Sequence, residues 1–431
     1  MKSAASLLGK RRFGPLFGAQ FLGAMNDNLF RSAMVLLVIF SIYADPTREG
    51  TFSALAGGLF ILPFLLFGAL AGQLADSRDK AMLTRHIKTA EILVMMGGAV
   101  GLIVQSVPLL LGTLFLMGTQ SAFFGPIKYA VLPQHLDAEE VLGGTGLIEA
   151  GTYVAVLTGT ILGGLVLVEQ ADGSQSAGIG AVGVLVTAAI GRWFAGRMPP
   201  APPAKAMAGR PIDWNLFRAT WHLLRDIMRR ADLALAIVAI SIFWSFAALL
   251  GAQFPPLTKN ELGGDESVAV LVFALFSVGI AIGSVLVNRL LKGVVSARFS
   301  APAALGIAIL LWDLKRRVEA QAVFGGELRN IPAFLDTNHG WWVLGDILGI
   351  ALLAGIFVVP LYAFLTTRVD ASMTARAIAA NNVVNAAMMV AASLALGSVI
   401  QSGVDIAGTL LLTAGFALAG AVAALLLARR D

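Results

Sequence analysis

The sequence predicts an all-α membrane protein with twelve transmembrane helices in two pseudo-symmetric six-helix halves. Three observations lead there. Of the 431 residues, 57% are hydrophobic and 13% charged, with a mean hydropathy of +0.81, against roughly 45–50% apolar and 25% charged in soluble domains. Apolar runs of about 17–28 residues, long enough to cross a bilayer, recur along the chain. Lys and Arg gather on alternate connections, as expected when cytoplasmic loops retain the positive charge.

The first half is expected to cross at residues 13–43, 52–75, 86–105, 108–132, 141–168 and 177–195. The first run is longer than a signal-peptide core and carries Asp27 and Arg31 in its middle, so it reads as a retained span. The second half is expected at 233–257, 268–290, 295–312, 341–365, 375–401 and 406–427, the ninth being short and holding Arg298 and Pro302. The domain plan is a half at 1–196, a cytoplasmic linker at 197–230 and a half at 231–431.

With the N-terminus inside, 23 Lys and Arg fall on inside segments and 6 outside. Both termini are therefore expected in the cytoplasm. The one local exception is Lys315–Arg316–Arg317, assigned to an outer loop. The pI near 9.6 reads as an orientation signal rather than a nucleic-acid one. Cysteine is absent, which excludes disulfides, thiolate catalysis and Cys-ligated metals.

Between the halves, a Pro/Ala-rich stretch gives way to a helix that Asp213 can cap. Trp214, Phe217, Trp221 and Leu224 recur there at helical spacing, with Arg218, Arg225 and Arg229 on other faces. Such a helix would lie at headgroup level and meet anionic lipid. The alternative is a surface helix that tethers the halves.

Ionisable side chains inside a span usually face a protein interior or water-filled cavity. Gln20, Asp27 and Arg31 fall along one face of the first span, with Asn28 beside them and Asn26 turned away. Asp27 with Arg31 or Lys128 would offer an anion and a cation to a zwitterionic headgroup; alternatively Asp27 and Arg31 pair with each other. Lys128 and Tyr129 close span 4 beside Pro126, where the lysine either snorkels or meets a phosphate. Glu149 in span 5 is a proton-coupling carboxylate or a partner for a base. Asn381, Asn382 and Asn385 form an amide face in span 11, for helix packing or for substrate. Gly151, Gly159, Gly163 and Gly164 are expected to serve close packing in span 5. Pro126-Ile127-Lys128-Tyr129-Ala130 echoes Pro360-Leu361-Tyr362-Ala363, and the alignment makes Glu149 and Asn385 pseudo-equivalent positions on a shared cavity.

The string Gly72-Gln73-Leu74-Ala75-Asp76-Ser77-Arg78-Asp79-Lys80 resembles the G-x-L-a-D-R-x-x-R/K signature of the major facilitator superfamily. The resemblance implies a conformational latch carried by Gly72, Asp76, Arg78 and Lys80, with the Asp pairing to a neighbouring helix end. A second copy near Gly283–Arg289 has Asn288 in place of the acid. Further strings narrow the family: Gln20-Phe21-Leu22-Gly23-Ala24-Met25-Asn26-Asp27-Asn28, Phe123-Phe124-Gly125-Pro126-Ile127-Lys128-Tyr129, Phe243-Trp244, Gln253-Phe254-Pro255 and Ala379-Ala380-Asn381-Asn382. They resemble the bacterial lysophospholipid transporters, closest to the branch often fused to an acyltransferase and an acyl-carrier synthetase. What that implies is movement of lysophospholipid, chiefly lyso-phosphatidylethanolamine, from the outer to the inner leaflet. Gln253 then joins the substrate set, and a separate acyltransferase or synthetase is the implied partner. The chain departs from the pattern in lacking those fused parts, and in lacking the arginine that follows Phe-Trp in span 7 of stand-alone members, with Gly251 near that place.

His86, His135, His222 and His339 lie in different segments, and neither a zinc-protease motif nor a nucleophile elbow occurs. No catalysis, metal or cofactor is expected. Two other readings remain: a proton-coupled exporter of amphipathic drugs or small solutes, and a non-transporting scaffold for a lipid-modifying enzyme.

Overall fold

The computed structural model describes residues 4–38, 42, 46–165, 177–205, 207–320, 328–370 and 373–430. The expected span ends at 39–41, 43 and 166–168 lie outside them. The elements are α1 (Gly14–Leu37), α2 (Pro46–Ser77), α3 (Lys80–Ile103), α4 (Val107–Ala130), the single turn α5 (Leu132–His135), α6 (Ala138–Leu165), α7 (Ala177–Gly196), α8 (Leu216–Met228) and α9 (Ala231–Pro256). There follow α10 (Glu266–Leu290), α11 (Ser300–Ala320), the short α12 (Ile331–Leu335), α13 (Asn338–Thr367), α14 (Thr374–Gln401) and α15 (Ile406–Ala428). Among the described residues, 11 helices are long and apolar enough to cross a membrane. The remaining long helix is α1, with 24 residues and the polar string at its centre. The protein is a multi-pass membrane protein.

Two helices depart from expectation in ways that matter. Asp79 caps α3 by accepting from the Met82 amide at 2.7 Å, so the helix begins at Lys80. Lys88, one of the 23 basic residues assigned from sequence to inside segments, is therefore two turns into a span and fully buried. Helix α11 runs to Ala320, so Lys315, Arg316 and Arg317 are helical rather than in an outer loop. Arg317 pairs with Asp313 at 2.7 Å and Asp346 at 2.9 Å, while Arg316 stacks over Trp312. Acids one turn away and an aromatic ring make the cluster compatible with helix.

Helix α8 forms where expected but is capped differently. Asn215, not Asp213, receives the Arg218 amide at 3.0 Å. Asp213 instead grips the Arg218 guanidinium through two bonds of 2.8 Å.

The chain forms two compact units. The first comprises Met1–Gly144, Gly151–Ile227 and Thr366–Val383; the second comprises Thr145–Ala150, Met228–Leu365 and Val384–Asp431. In the first, α1 packs on α7, α3 on α4 and α7, and α2 on α4, around a core that includes Phe30, Met34, Met95, Leu110, Met117 and Val184. Helix α6 presses against the polar segment of α1. A Cβ on Gly163 would fall 2.6 Å from the Leu29 carbonyl oxygen, and one on Gly159 would collide with the Met25 carbonyl. In the second unit, α15 packs between α9 and α11.

Candidate substrate site on helices α1, α3 and α4

The polar string of α1 divides into two sets by helical phase. Asn26 is fully buried and donates from Nδ2 to Glu91 Oε1 on α3 at 3.2 Å. Glu91 Oε2 accepts from Lys88 Nζ at 2.6 Å and from Gln120 Nε2 at 3.5 Å. The Lys88 ammonium also lies 5.0 Å from the centre of the Phe124 ring. Lys88 and Glu91 are 0% and 1% exposed, a depth at which neither charge is tolerated without the other. Room for the ammonium comes from Gly23, where a Cβ would collide with Lys88 Nζ.

Asp27 points to α4 instead. Its Oδ2 accepts from Ser121 Oγ at 2.6 Å, and its Oδ1 is buried with no hydrogen bond. Arg31, one turn further on, is exposed. Among the described residues no direct salt bridge joins it to Asp27, and the two charges act on each other only through space. Asn28 bonds its own helix, donating to the Ala24 carbonyl at 2.8 Å. Of the four polar residues, Asp27 and Arg31 thus retain bonding capacity, while Asn26 is committed to α3.

Ser121, Gly125 and Lys128 share a face of α4 at spacings of four and three. A Cβ on Gly125 would lie 2.7 Å from Asn382 Nδ2 on α14. Lys128 is half-buried, its ammonium 4.8 Å from the centre of the buried Tyr129 ring. The first unit therefore brings Asp27, Asn382 and Lys128 onto one stripe of α4, with Lys128 two turns, about 10 Å, from the level of Ser121.

Other predicted residues stand elsewhere. Asn381 is fully buried in the first unit, and Glu149 in the second. Asn385 accepts from Ser241 Oγ at 2.6 Å. The Gln253 amide is committed to α15, donating to the Thr409 carbonyl at 3.2 Å and accepting from Thr413 Oγ1 at 3.3 Å.

The motif at the end of α2 meets the first turn of α14, within the first unit. Asp76 accepts from the backbone amides of Ala375 at 3.0 Å and Arg376 at 3.2 Å, and from Arg376 Nε at 3.2 Å. A carboxylate suits the N-H groups that a helix start leaves without intrahelical partners. Gly72, one turn earlier, permits the approach: a Cβ there would lie 2.6 Å from Ala379 Cβ and 3.2 Å from Arg376 Cα. Among the described residues Arg78 bonds only the adjacent Ser77 carbonyl. Lys80 Nζ is buried without a hydrogen bond, while Asp79 accepts from the Ala201 amide at 2.9 Å.

Sequence reasoning missed Lys88, Glu91, Gln120, Ser121 and Asp79. One signal was available: Lys88 and Glu91 stand three apart with apolar residues following, the spacing of an intrahelical pair.

The profile of the Major Facilitator Superfamily matches residues 16–393 of this chain. The chain belongs to that superfamily. Among curated relatives, the lysophospholipid transporter LplT of Serratia proteamaculans (strain 568) is 30% identical over 370 residues, 84% of this chain and 82% of the relative. LplT of Pectobacterium carotovorum subsp. carotovorum (strain PC1) is 27% identical over 407 residues, 93% and 90% of the two chains. This major facilitator protein is thus a member of the LplT family. Of solved structures, the human organic anion transporter MFSD10 (TETRAN) gives a TM-score of 0.75 at 14% identity, covering 96% of this chain and 99% of its own. The superfamily transporter FucP in its outward conformation gives 0.71 at 12% identity, covering 96% and 98%. At such identities the likeness concerns the fold alone.

Proposed function

We propose that this protein transports lysophospholipid, lyso-phosphatidylethanolamine in the first place, from the outer to the inner leaflet of the bacterial inner membrane. The carrying observation is the division of labour on α1. Asp27 has one oxygen on Ser121 and the other without a donor, and Arg31 stands exposed one turn away. An ammonium and a phosphate are the complementary charges, and charge-assisted hydrogen bonds are the stronger kind. Lys128, further along α4, is a second cation for the phosphate on its way inward. The Lys88–Glu91 pair stays out of this chemistry and fixes α1 through Asn26. The acyl chain remains in hydrocarbon, so the headgroup enters sideways from the lipid as the protein alternates between openings. The names of the LplT relatives support the substrate class.

Uptake of labelled lyso-phosphatidylethanolamine into spheroplasts tests this. Loss of a hydrogen bond to a charged group costs about 1.5–3 kcal/mol, so Asp27→Ala should slow uptake roughly tenfold or more. Lyso-phosphatidylglycerol, which has no ammonium, should suffer less from that change and more from Arg31→Ala. Equal uptake by wild type and Asp27→Ala would sink the site assignment. Collapse of uptake with a protonophore would instead favour the proton-coupled exporter.

A further inference from the structure

Helix α8 presents two apolar faces, and the first unit uses only one. Ala219, Leu223 and Ile227 are buried. The opposite side carries Trp214, Phe217 and Trp221, which are 70%, 83% and 67% exposed. At about 100° per residue, Phe217, Trp221, Leu224 and Met228 fall in one arc of the helix. Arg218 and Arg225 fall in the arc beside it, and both are exposed. Two large aromatics left open on a 13-residue helix, with a third, Trp214, just before it, call for an occupant, because isolated exposed apolar residues are ordinary but contiguous ridges are not.

The surroundings say which occupant. The Asp213 amide donates to Gln73 Oε1 at 2.9 Å, which ties the start of α8 to the end of the α2 span. Only two residues separate Met228 from Ala231, where the α9 span begins. Both ends of α8 are therefore held at the level where spans leave the bilayer, the depth at which Trp side chains concentrate. Residues 197–230 carry seven basic and two acidic residues, a charge that matches an anionic surface. We infer that the outer face of α8 docks on an anionic lipid surface, with Phe217 and Trp221 inserted at headgroup depth and Arg225 and the adjoining Arg229 paired with lipid phosphates. The inner face of the same helix closes a cavity of about 140 Å³ bordered by Gln73, His222, Asp226, Met373 and Arg376. Arg376 is the partner of Asp76, so a helix fastened to lipid also holds the α2–α14 contact in place.

The natural chain has no cysteine, so a spin label at Phe217→Cys reports this position alone in the full-length protein. In vesicles of phosphatidylcholine with phosphatidylglycerol, oxygen should reach the label more readily than a water-soluble nickel chelate. The accessibility ratio should be several-fold higher than in phosphatidylcholine alone. A label at Arg210→Cys, on the exposed linker, should stay in water in both. Each basic residue near such a surface is worth about fivefold in partitioning, so R225Q/R229Q, which leaves the Asp213–Arg218 contact intact, should lower the phosphatidylglycerol-dependent partitioning roughly 25-fold and remove most of the gain. Unchanged thermal unfolding of that variant would separate the effect from misfolding. The proposal is overturned if the label at 217 meets the nickel chelate as freely as the label at 210 in both lipids, or if the gain survives the arginine changes. Protection found only in native membranes and not in pure lipid would point to a protein partner and equally overturn it.

Discussion

At the residue scale, the buried pair on α3 makes the sharpest statement about stability. Removing one partner of a buried ion pair leaves the other uncompensated and costs about 3–5 kcal/mol, whereas replacing both with apolar or neutral groups of similar size is often close to neutral. Lys88→Met and Glu91→Gln should therefore each lower the unfolding temperature in detergent strongly, and the double variant should recover most of the loss. Gly23→Ala should act like a mild Lys88 variant by displacing the ammonium. Independent, additive losses in the double variant would show that the pair is not a unit. The contrast with Asp27 and Arg31 explains what the sequence made legible. Two ionisable residues in the middle of a 24-residue apolar helix stand out, because hydrocarbon makes them expensive. Lys88 stands eight residues after the start of α3, where a basic residue passes for a loop charge. Its burial depends on Gly23 and on Asn26, both more than 60 residues away, and local pattern carries no trace of that. Helical phase already separated Asn26 from Asn28 in the sequence, but not the neighbour each meets, Glu91 on α3 for the one and its own helix for the other.

At the element scale, the contact between α2 and the first turn of α14 rests on one carboxylate. Asp76→Ala removes the acceptor for two backbone amides, a loss comparable to deleting a helix cap and worth about 1–2 kcal/mol. Hydrogen exchange at the Ala375 and Arg376 amides should quicken accordingly, while Asp76→Asn, which keeps one acceptor oxygen, should quicken it less. Gly72 and Asp76 were legible through their motif; their partner was not, since Arg376 lies 300 residues away. Helix α8 was legible in its extent and its exposed aromatics, because a strong amphipathic period needs no tertiary information. Its cap was not, since Asp213 and Asn215 are both good cap residues and the choice turns on where Arg218 reaches. The hydrogen bonds from Arg218 hold the Asp213 carboxyl below its ordinary value of 3.8. A depressed carboxyl stabilises the fold at every pH above its unfolded value and loses that contribution only as pH falls through the lowered one. Protection at the start of α8 should consequently be level through neutral and mildly acidic pH. Arg218→Gln should weaken it and move its acid loss upward; a loss already centred near neutrality in the wild type would show that this contact does not govern the helix start.

At the scale of the whole molecule, the succession of long helices was legible because a span needs only length and apolarity. Seven of them, α4, α7, α9, α10, α13, α14 and α15, begin and end within three residues of the predicted limits, and α6 begins within three. The charged ends of α3 and α11 misled for one reason: a charge paired inside a helix and a charge free in a loop read alike. That error bears on orientation, since basic residues count only where they flank spans. Lys88 must leave the inside tally, and Lys315–Arg317 are largely answered by acids on α11 and α13. Both corrections are small against a bias of 23 to 6, so the N-terminus, the linker and the C-terminus should all face the cytoplasm. A chain without cysteine permits a direct check. In intact spheroplasts a membrane-impermeant maleimide should label Asn330→Cys, between α11 and α13, and Ser402→Cys, between α14 and α15. It should reach Arg210→Cys only after lysis. The reverse pattern would turn the molecule over. It would then place Lys128, at the end of α4, on the outer side, where it could meet a phosphate entering but not one leaving, and the inward direction of transport would lose its second cation.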